Sequence, residues 1–142
     1  MLEKVVATQL DSHLHLHQLH DPNQSAYKAF HSTETALLKV QSDIADALDR
    51  GEIVLLLMLD MSAAFDTIDH SILLRRLEHS FGVTGDALSW IESYLKERVQ
   101  SVVVGDSASD SLVLKYGVPQ GSVLGPKLYC RYTNPWFNFQ KT

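Results

Sequence analysis

The chain has 142 residues, 45% hydrophobic and 20% charged, an ordinary composition for one folded domain with material for a real core. A formal net charge of -5 excludes a nucleic-acid-binding surface spread over the whole molecule, because phosphate binding draws on Lys and Arg; any such activity must be local. The single cysteine, Cys130, excludes an internal disulfide and reads as a small buried apolar group.

Charges interrupt the first residues, MLEKVVATQL, where a signal peptide needs a continuous apolar stretch. The longest apolar run, Ile53 to Leu59, is far short of the ~20 residues of a membrane-spanning helix. An intracellular protein without a membrane span is therefore expected. Leu2, Val5, Val6, Leu10 and Leu14 recur at three- and four-residue spacing and predict an amphipathic helix to about His17. His13 and His17 are one turn apart on it, but with no Cys or acidic partner at a recognised ligand spacing, His13, His15, His17 and His20 read as solvated or capping histidines. Asp21-Pro22-Asn23 breaks the chain. Ser32 is a candidate N-cap for a helix to about Asp49, with an apolar stripe of Ala36, Leu37, Val40, Ile44, Ala47 and Leu48. Asp43, Asp46 and Asp49 read as its solvated face.

The stretch EIVLLLMLDMSAAFDTIDH, Glu52 to His70, organises the rest. Every residue from Ile53 to Leu59 is apolar, which predicts a central strand buried on both faces and ending at Asp60. Helical spacing at Ile68, Ile72, Leu73 and Leu77 puts Asp60 at a strand-to-helix junction, where ligands collect in open sheets; an Asp there can equally be a plain cap. The helix should stop at Phe81-Gly82, and a further one should run from Thr84 through Arg98 with Ala87, Leu88, Ile91, Tyr94 and Leu95 inward. Gln100 to Val104 and Ser111 to Tyr116 read as a hairpin closed by a loop, GDSASD, rather than by a tight turn. GVPQGSVLGP follows. Its glycines allow close backbone approach, its proline stiffens the entry, and Gln120 offers a donor and an acceptor. Its spacing differs from a GxxxxGK[ST] phosphate loop. From about Lys127 the pattern fades, Lys127 and Arg131 interrupt it, and Asn134-Pro135 should break any helix. The fold class is α+β with a small sheet.

Together, LEKVV, QSAYKAFHSTETALL, LDMSAAFD, FDTIDH, SWIESYLKERVQSV and GVPQGSVLGP resemble the reverse transcriptase domain of LINE-type, non-LTR retrotransposons, over roughly residues 1 to 129, with 130–142 a divergent tail. The resemblance implies part of a right-hand polymerase, with fingers and a palm sheet packed by helices. It implies nucleotidyl transfer of deoxynucleotides to a primer 3′ hydroxyl on an RNA template, with two Mg²⁺ ions holding the attacking and leaving oxygens. Asp60 takes the place of the first catalytic Asp, joined at the metal by the carbonyl of Met61. Phe65 falls at the sugar gate, Gln120 and Gly121 at the nucleotide-binding turn, and Lys28 at a template or triphosphate contact where relatives often carry Arg. Asp66 is expected to be structural.

Relatives carry a second carboxylate source, Tyr-x-Asp-Asp, beyond the glycine-rich turn. This sequence has no Asp-Asp pair, and its last acidic residue is Asp110. A catalytically incomplete polypeptide is therefore expected, with weak or absent binding of template and primer and marginal stability. A phosphohydrolase with an aspartyl nucleophile is disfavoured because Ser62 stands where a second acid is wanted. The other alternative is a non-enzymatic remnant acting, if at all, as a protein-interaction module.

Overall fold

The computed structural model describes residues 1–137. The chain divides into two compact units, one formed by Met1–Leu19 with Ala63–Thr142 and the other by His20–Ser62.

The first unit is built on four helices, α1 (Leu2–Leu16), α3 (His70–Phe81), α4 (Gly85–Leu95) and α5 (Gly125–Phe137), the second on α2 (Thr33–Asp49). Spacing of apolar residues explains what the first unit buries: Ala7, Leu10 and Leu14 from α1, Leu73, Leu77 and Phe81 from α3, Ile91 and Leu95 from α4, and Leu128 from α5, with Ile68, Val118 and Leu124 from the connections. Each fully enclosed Leu or Ile contributes roughly 1.5–3 kcal/mol, so this cluster sustains the unit. Asp69 caps α3 by accepting from the Ile72 amide at 2.9 Å, and Gly82 closes it in the left-handed conformation, φ 66°. Phe81's carbonyl, one of the acceptors a helix end leaves free, receives a hydrogen bond from His13 Nε2 at 2.7 Å. That histidine thus has a capping role. His13 and His17 also lie ring to ring at 4.6 Å.

The hairpin differs from expectation. Strands β2 (Val103–Val104) and β3 (Ser107–Ala108) pair antiparallel with Val104 opposite Ser107, leaving a tight two-residue turn at Gly105-Asp106. Gly105 there takes φ 59°, which suits the primed turns that match strand twist. Below it, β1 (Val99–Gln100) pairs with β4 (Leu112–Val113) in a register shifted by one residue. Ser109 fills the mismatch: its amide donates to the Val102 carbonyl at 2.9 Å, and its hydroxyl accepts from the Val102 amide at 3.0 Å. The polar residues of GDSASD thus form the turn, one short strand and the offset.

Helix α5 also departs from the sequence reading. It continues through Asn134 and Pro135, although Pro135 offers no amide hydrogen for the helix ladder. The two interrupting cations are accommodated. Lys127 pairs with Asp11 of α1 at 2.5 Å, and buried Arg131 lies with its guanidinium 5.2 Å from the Phe81 ring centre. Cys130 is buried as expected.

In the second unit, Ser32 caps α2 reciprocally with Thr35: the Thr35 amide donates to Ser32 Oγ at 3.2 Å, and the Ser32 amide to Thr35 Oγ1 at 2.9 Å. The predicted stripe is present, but no α2 side chain is buried. The acidic face is solvated, with Lys39 and Asp43 paired at 2.5 Å one turn apart. The clearest correction concerns Ile53 to Leu59, which is neither a strand nor buried; Ile53 is 99% and Leu55 93% exposed. A strand is a property of a ladder rather than of one segment, and among the described residues none pairs with this run. The α+β class stands, but its sheet is the hairpin.

Candidate functional site

Residues 63–70 and 116–125 are sewn together. The Gly117 amide donates to the Ile68 carbonyl at 2.8 Å, and the Val118 amide to the Phe65 carbonyl at 2.9 Å. Buried His70 Nε2 donates to the Gly117 carbonyl at 2.7 Å, and Asp69 and Tyr116 form a backbone bridge. A side chain at 117 would strain this approach. Gly117 has φ 85°, and a Cβ there would stand 3.0 Å from both Asp66 Cα and Phe65 O. The close approach that glycine permits is therefore to the chain's own AAFD segment. At Gly121, by contrast, a Cβ would meet nothing within 4 Å. Ser122 closes the turn by donating to the Pro119 carbonyl at 2.7 Å and accepting from the Gly125 amide at 2.9 Å. On the other side, Ala63 starts the turn at φ 51° and accepts from the Asp66 amide at 2.9 Å. A left-handed alanine costs roughly 1–2 kcal/mol, so this turn is held by its surroundings.

Side chains complete the junction. Gln120 Nε2 donates to both oxygens of Asp66, at 3.0 and 3.1 Å. The sequence marks Asp66 as structural but does not name this partner, since nothing local couples residues this far apart. With its nitrogen committed, Gln120 keeps its carbonyl oxygen as an acceptor. A cleft of about 470 Å³ opens beside the pair, walled by Asp66, Arg98, Gln100, Tyr116 and Gln120 over Leu114 and Val118. Farther along, the Val123 amide donates to Glu3 of α1 at 2.9 Å. Near it the Tyr94 hydroxyl is enclosed, and burial raises its pKa above the usual tyrosine value, with Glu3's charge adding to the rise.

Of the residues singled out by sequence, Phe65, Gln120 and Gly121 lie in the first unit, and Lys28, Asp60 and Met61 in the second. Phe65 is half-buried with its ring 5.1 Å from that of Tyr129, while Gln120 and Gly121 are exposed. Lys28 is half-buried in a turn. Asp60 and Met61 are exposed and follow the apolar run, outside any strand. For a divalent cation, Asp60 offers one carboxylate and Met61 one carbonyl. Among the described residues no group of three His, Cys, Asp or Glu side chains stands together as a metal site, so these residues do not by themselves make one. Arg98 and Tyr116 were not picked out by the sequence reading; the run of alternating strand residues around them gives only a hairpin.

A family model described as reverse transcriptase (RNA-dependent DNA polymerase) matches residues 1–142. The chain is 31% identical over 131 residues, 92% of its length, to the probable RNA-directed DNA polymerase from transposon BS of Drosophila melanogaster. It is 31% identical over 134 residues, 94% of its length, to the probable RNA-directed DNA polymerase from transposon X-element of the same fly. A third relative, the RNA-directed DNA polymerase from mobile element jockey of Drosophila melanogaster, is 33% identical over 106 residues, 75% of this chain and 11% of its own length. The chain spans 14% of the length of each of the first two. No solved structure matches it. With the family matched along its whole length and its relatives drawn from non-LTR elements, the chain belongs to the reverse transcriptase family, in its LINE-type branch.

Proposed function

We propose that these 142 residues are a portion of an RNA-directed DNA polymerase, contributing part of the fingers and palm to template-directed transfer of deoxynucleotides onto a primer 3′ hydroxyl. The junction of AAFD with GVPQG carries the reading. Two segments about fifty residues apart in sequence are held by backbone hydrogen bonds that a glycine at 117 accommodates without strain, and their exposed edge presents Gln120 and Gly121. In this reading Gln120 and Gly121 face the incoming nucleotide, Phe65 excludes a 2′ hydroxyl, and Lys28 contacts template or triphosphate. Asp60, with the Met61 carbonyl, is one source of oxygen ligands for the family's divalent cation, taken to be Mg²⁺. The remaining carboxylates have no counterpart among the 142 residues, which lack an Asp-Asp pair. No catalytic step is assigned to the polypeptide alone.

Two measurements test this. The purified 142-residue polypeptide should show no template-dependent incorporation of deoxynucleotides and only weak binding of a primer-template duplex; incorporation abolished by Asp60→Asn would overturn that expectation. A chimaera with these residues in place of the matched segment of the transposon BS polymerase should extend a primer and lose the activity on Asp60→Asn but not on Asp49→Asn. A folded, inactive chimaera would refute the assignment. The exposed apolar run at Ile53 to Leu59 supports a second reading, a non-enzymatic interaction module. Its test is a defined partner whose binding is lost on Leu55→Lys.

A further inference from the structure

We propose that His13 and His17, one turn apart on α1, chelate a divalent transition metal of the zinc, copper and nickel class, with water completing its coordination. The site differs in place and chemistry from the carboxylates of the polymerase reading and stands without it.

Spacing alone leaves the two as solvated or capping residues; the placement of their rings adds what spacing lacks. The ring centres are 4.6 Å apart and the planes are inclined by 54°. Imidazoles that share one metal at about 2.0–2.1 Å from each nitrogen, at an angle of roughly 90–110°, have centres about 4.5–5.2 Å apart. The pair thus already stands at the separation a shared ion requires. His13 also has a lone pair prepared. The Phe81 carbonyl can only accept, so His13 Nε2 carries the proton of their 2.7 Å hydrogen bond and, in the neutral ring, Nδ1 is left bare. Metal-bound histidines nearly always donate their other ring N–H to such an acceptor, which fixes tautomer and orientation. His17 is exposed and its ring nitrogens hold no hydrogen bond among the described residues, so an ion there displaces only water.

Imidazole nitrogen suits zinc, copper and nickel, whereas magnesium and calcium take oxygen. Among the described residues no third His, Cys, Asp or Glu stands with the pair, so two protein ligands make an exchangeable site rather than a closed structural one. Binding still reaches into the fold. The same His13 ring holds the end of α3, and an ion across the last turn of α1 fixes both that turn and the hold on Phe81.

The experiment is an NMR titration of the untagged, ¹⁵N-labelled chain with Zn²⁺, with Cu²⁺, Ni²⁺ and Mg²⁺ as separate arms. Expected are Zn²⁺ shifts centred on residues 13–17 and at Phe81 and Gly82, a higher thermal midpoint with Zn²⁺, and tighter binding of Cu²⁺ than of Ni²⁺ or Zn²⁺. Loss of a hydrogen-bond partner of a metal-bound histidine typically weakens binding about 10–100-fold, so loss of a ligand should weaken it at least about tenfold. His17→Ala, at an exposed position, should show that loss and abolish the thermal gain, as should His13→Gln, which keeps an amide donor for the Phe81 carbonyl. His15→Ala and His79→Ala, at exposed histidines of α1 and α3, should bind as the unaltered chain does. Silence at residues 13–17 in millimolar Zn²⁺ would overturn the proposal, as would undiminished binding by His17→Ala, an equal loss on His15→Ala, or displacement of Zn²⁺ by millimolar Mg²⁺.

Discussion

Replacing Gly117 by alanine separates the close-approach argument from ordinary glycine effects. Its φ of 85° costs an L-residue roughly 1–2 kcal/mol wherever it occurs. At this position the new methyl group would also stand 3.0 Å from Asp66 Cα and Phe65 O and 3.2 Å from Asp66 O, all backbone atoms that cannot swing aside. Relief requires the two segments to part by a few tenths of an ångström, weakening the Gly117–Ile68 and Val118–Phe65 bonds, each worth about 1 kcal/mol. The total is about 3–4 kcal/mol. Gly121→Ala is the matched control, with φ 75° and open space, and should cost only about 1–2 kcal/mol. Urea denaturation followed by circular dichroism reads the difference of about 2 kcal/mol as a midpoint lower by about 1 M, for slopes of about 1–3 kcal/mol/M. Equal destabilisation by the two substitutions would show that the junction does not constrain residue 117.

Asp69→Ala should cost about 1 kcal/mol through loss of the cap on Ile72, read as a lower thermal midpoint; an unchanged midpoint would deny the cap its role. Because burial raises the folded pKa of Tyr94, the stability it contributes is present below the unfolded value of about 10 and is lost as pH rises through the folded value. Tyr94→Phe should make the alkaline fall in stability shallower and remove a late component of the tyrosinate absorbance titration. Leu55→Lys with Leu57→Lys, at positions 93% and 75% exposed, should leave the helical signal unchanged and lower self-association measured by sedimentation; unaltered association would mean that the run is not the adhesive surface.

Helices were legible because their signals are local. The spacing of Leu10 and Leu14, the Ser32 cap and the Phe81-Gly82 stop lie within a turn or two of what they control, and each sits where the pattern puts it. Residues 62–67, read as the start of a helix, instead form turns, because Asp69 rather than a residue nearer Asp60 supplies the cap. Asn134-Pro135 misled for a related reason. Packing of Leu128, Cys130 and Arg131 against the first unit's core is non-local and outweighs one missing amide. Of the candidate site, the sequence offered Gln120 and Gly121 as expectations, while the hold of Gln120 on Asp66 and the cleft beside it depend on contacts between distant segments and leave no local trace.

The run from Ile53 to Leu59 shows how far such non-local dependence reaches. Its sequence is that of a strand buried on both faces, yet its seven side chains are exposed, with Val54, the least exposed, at 37%. Burying each would contribute roughly 1.5–3 kcal/mol, so on the order of 10–20 kcal/mol of apolar stabilisation is left unrealised in this arrangement. No turn or cap in the run opposes pairing; what is missing among the described residues is a strand paired with it. Any edge presented to it, from another protein segment or another copy, meets the same drive, which is why association and strand formation should rise together. The position of Asp60 follows from this. A carboxylate is fixed at a strand end only when the strand is fixed, so the role proposed for Asp60 is conditional on pairing of the residues before it.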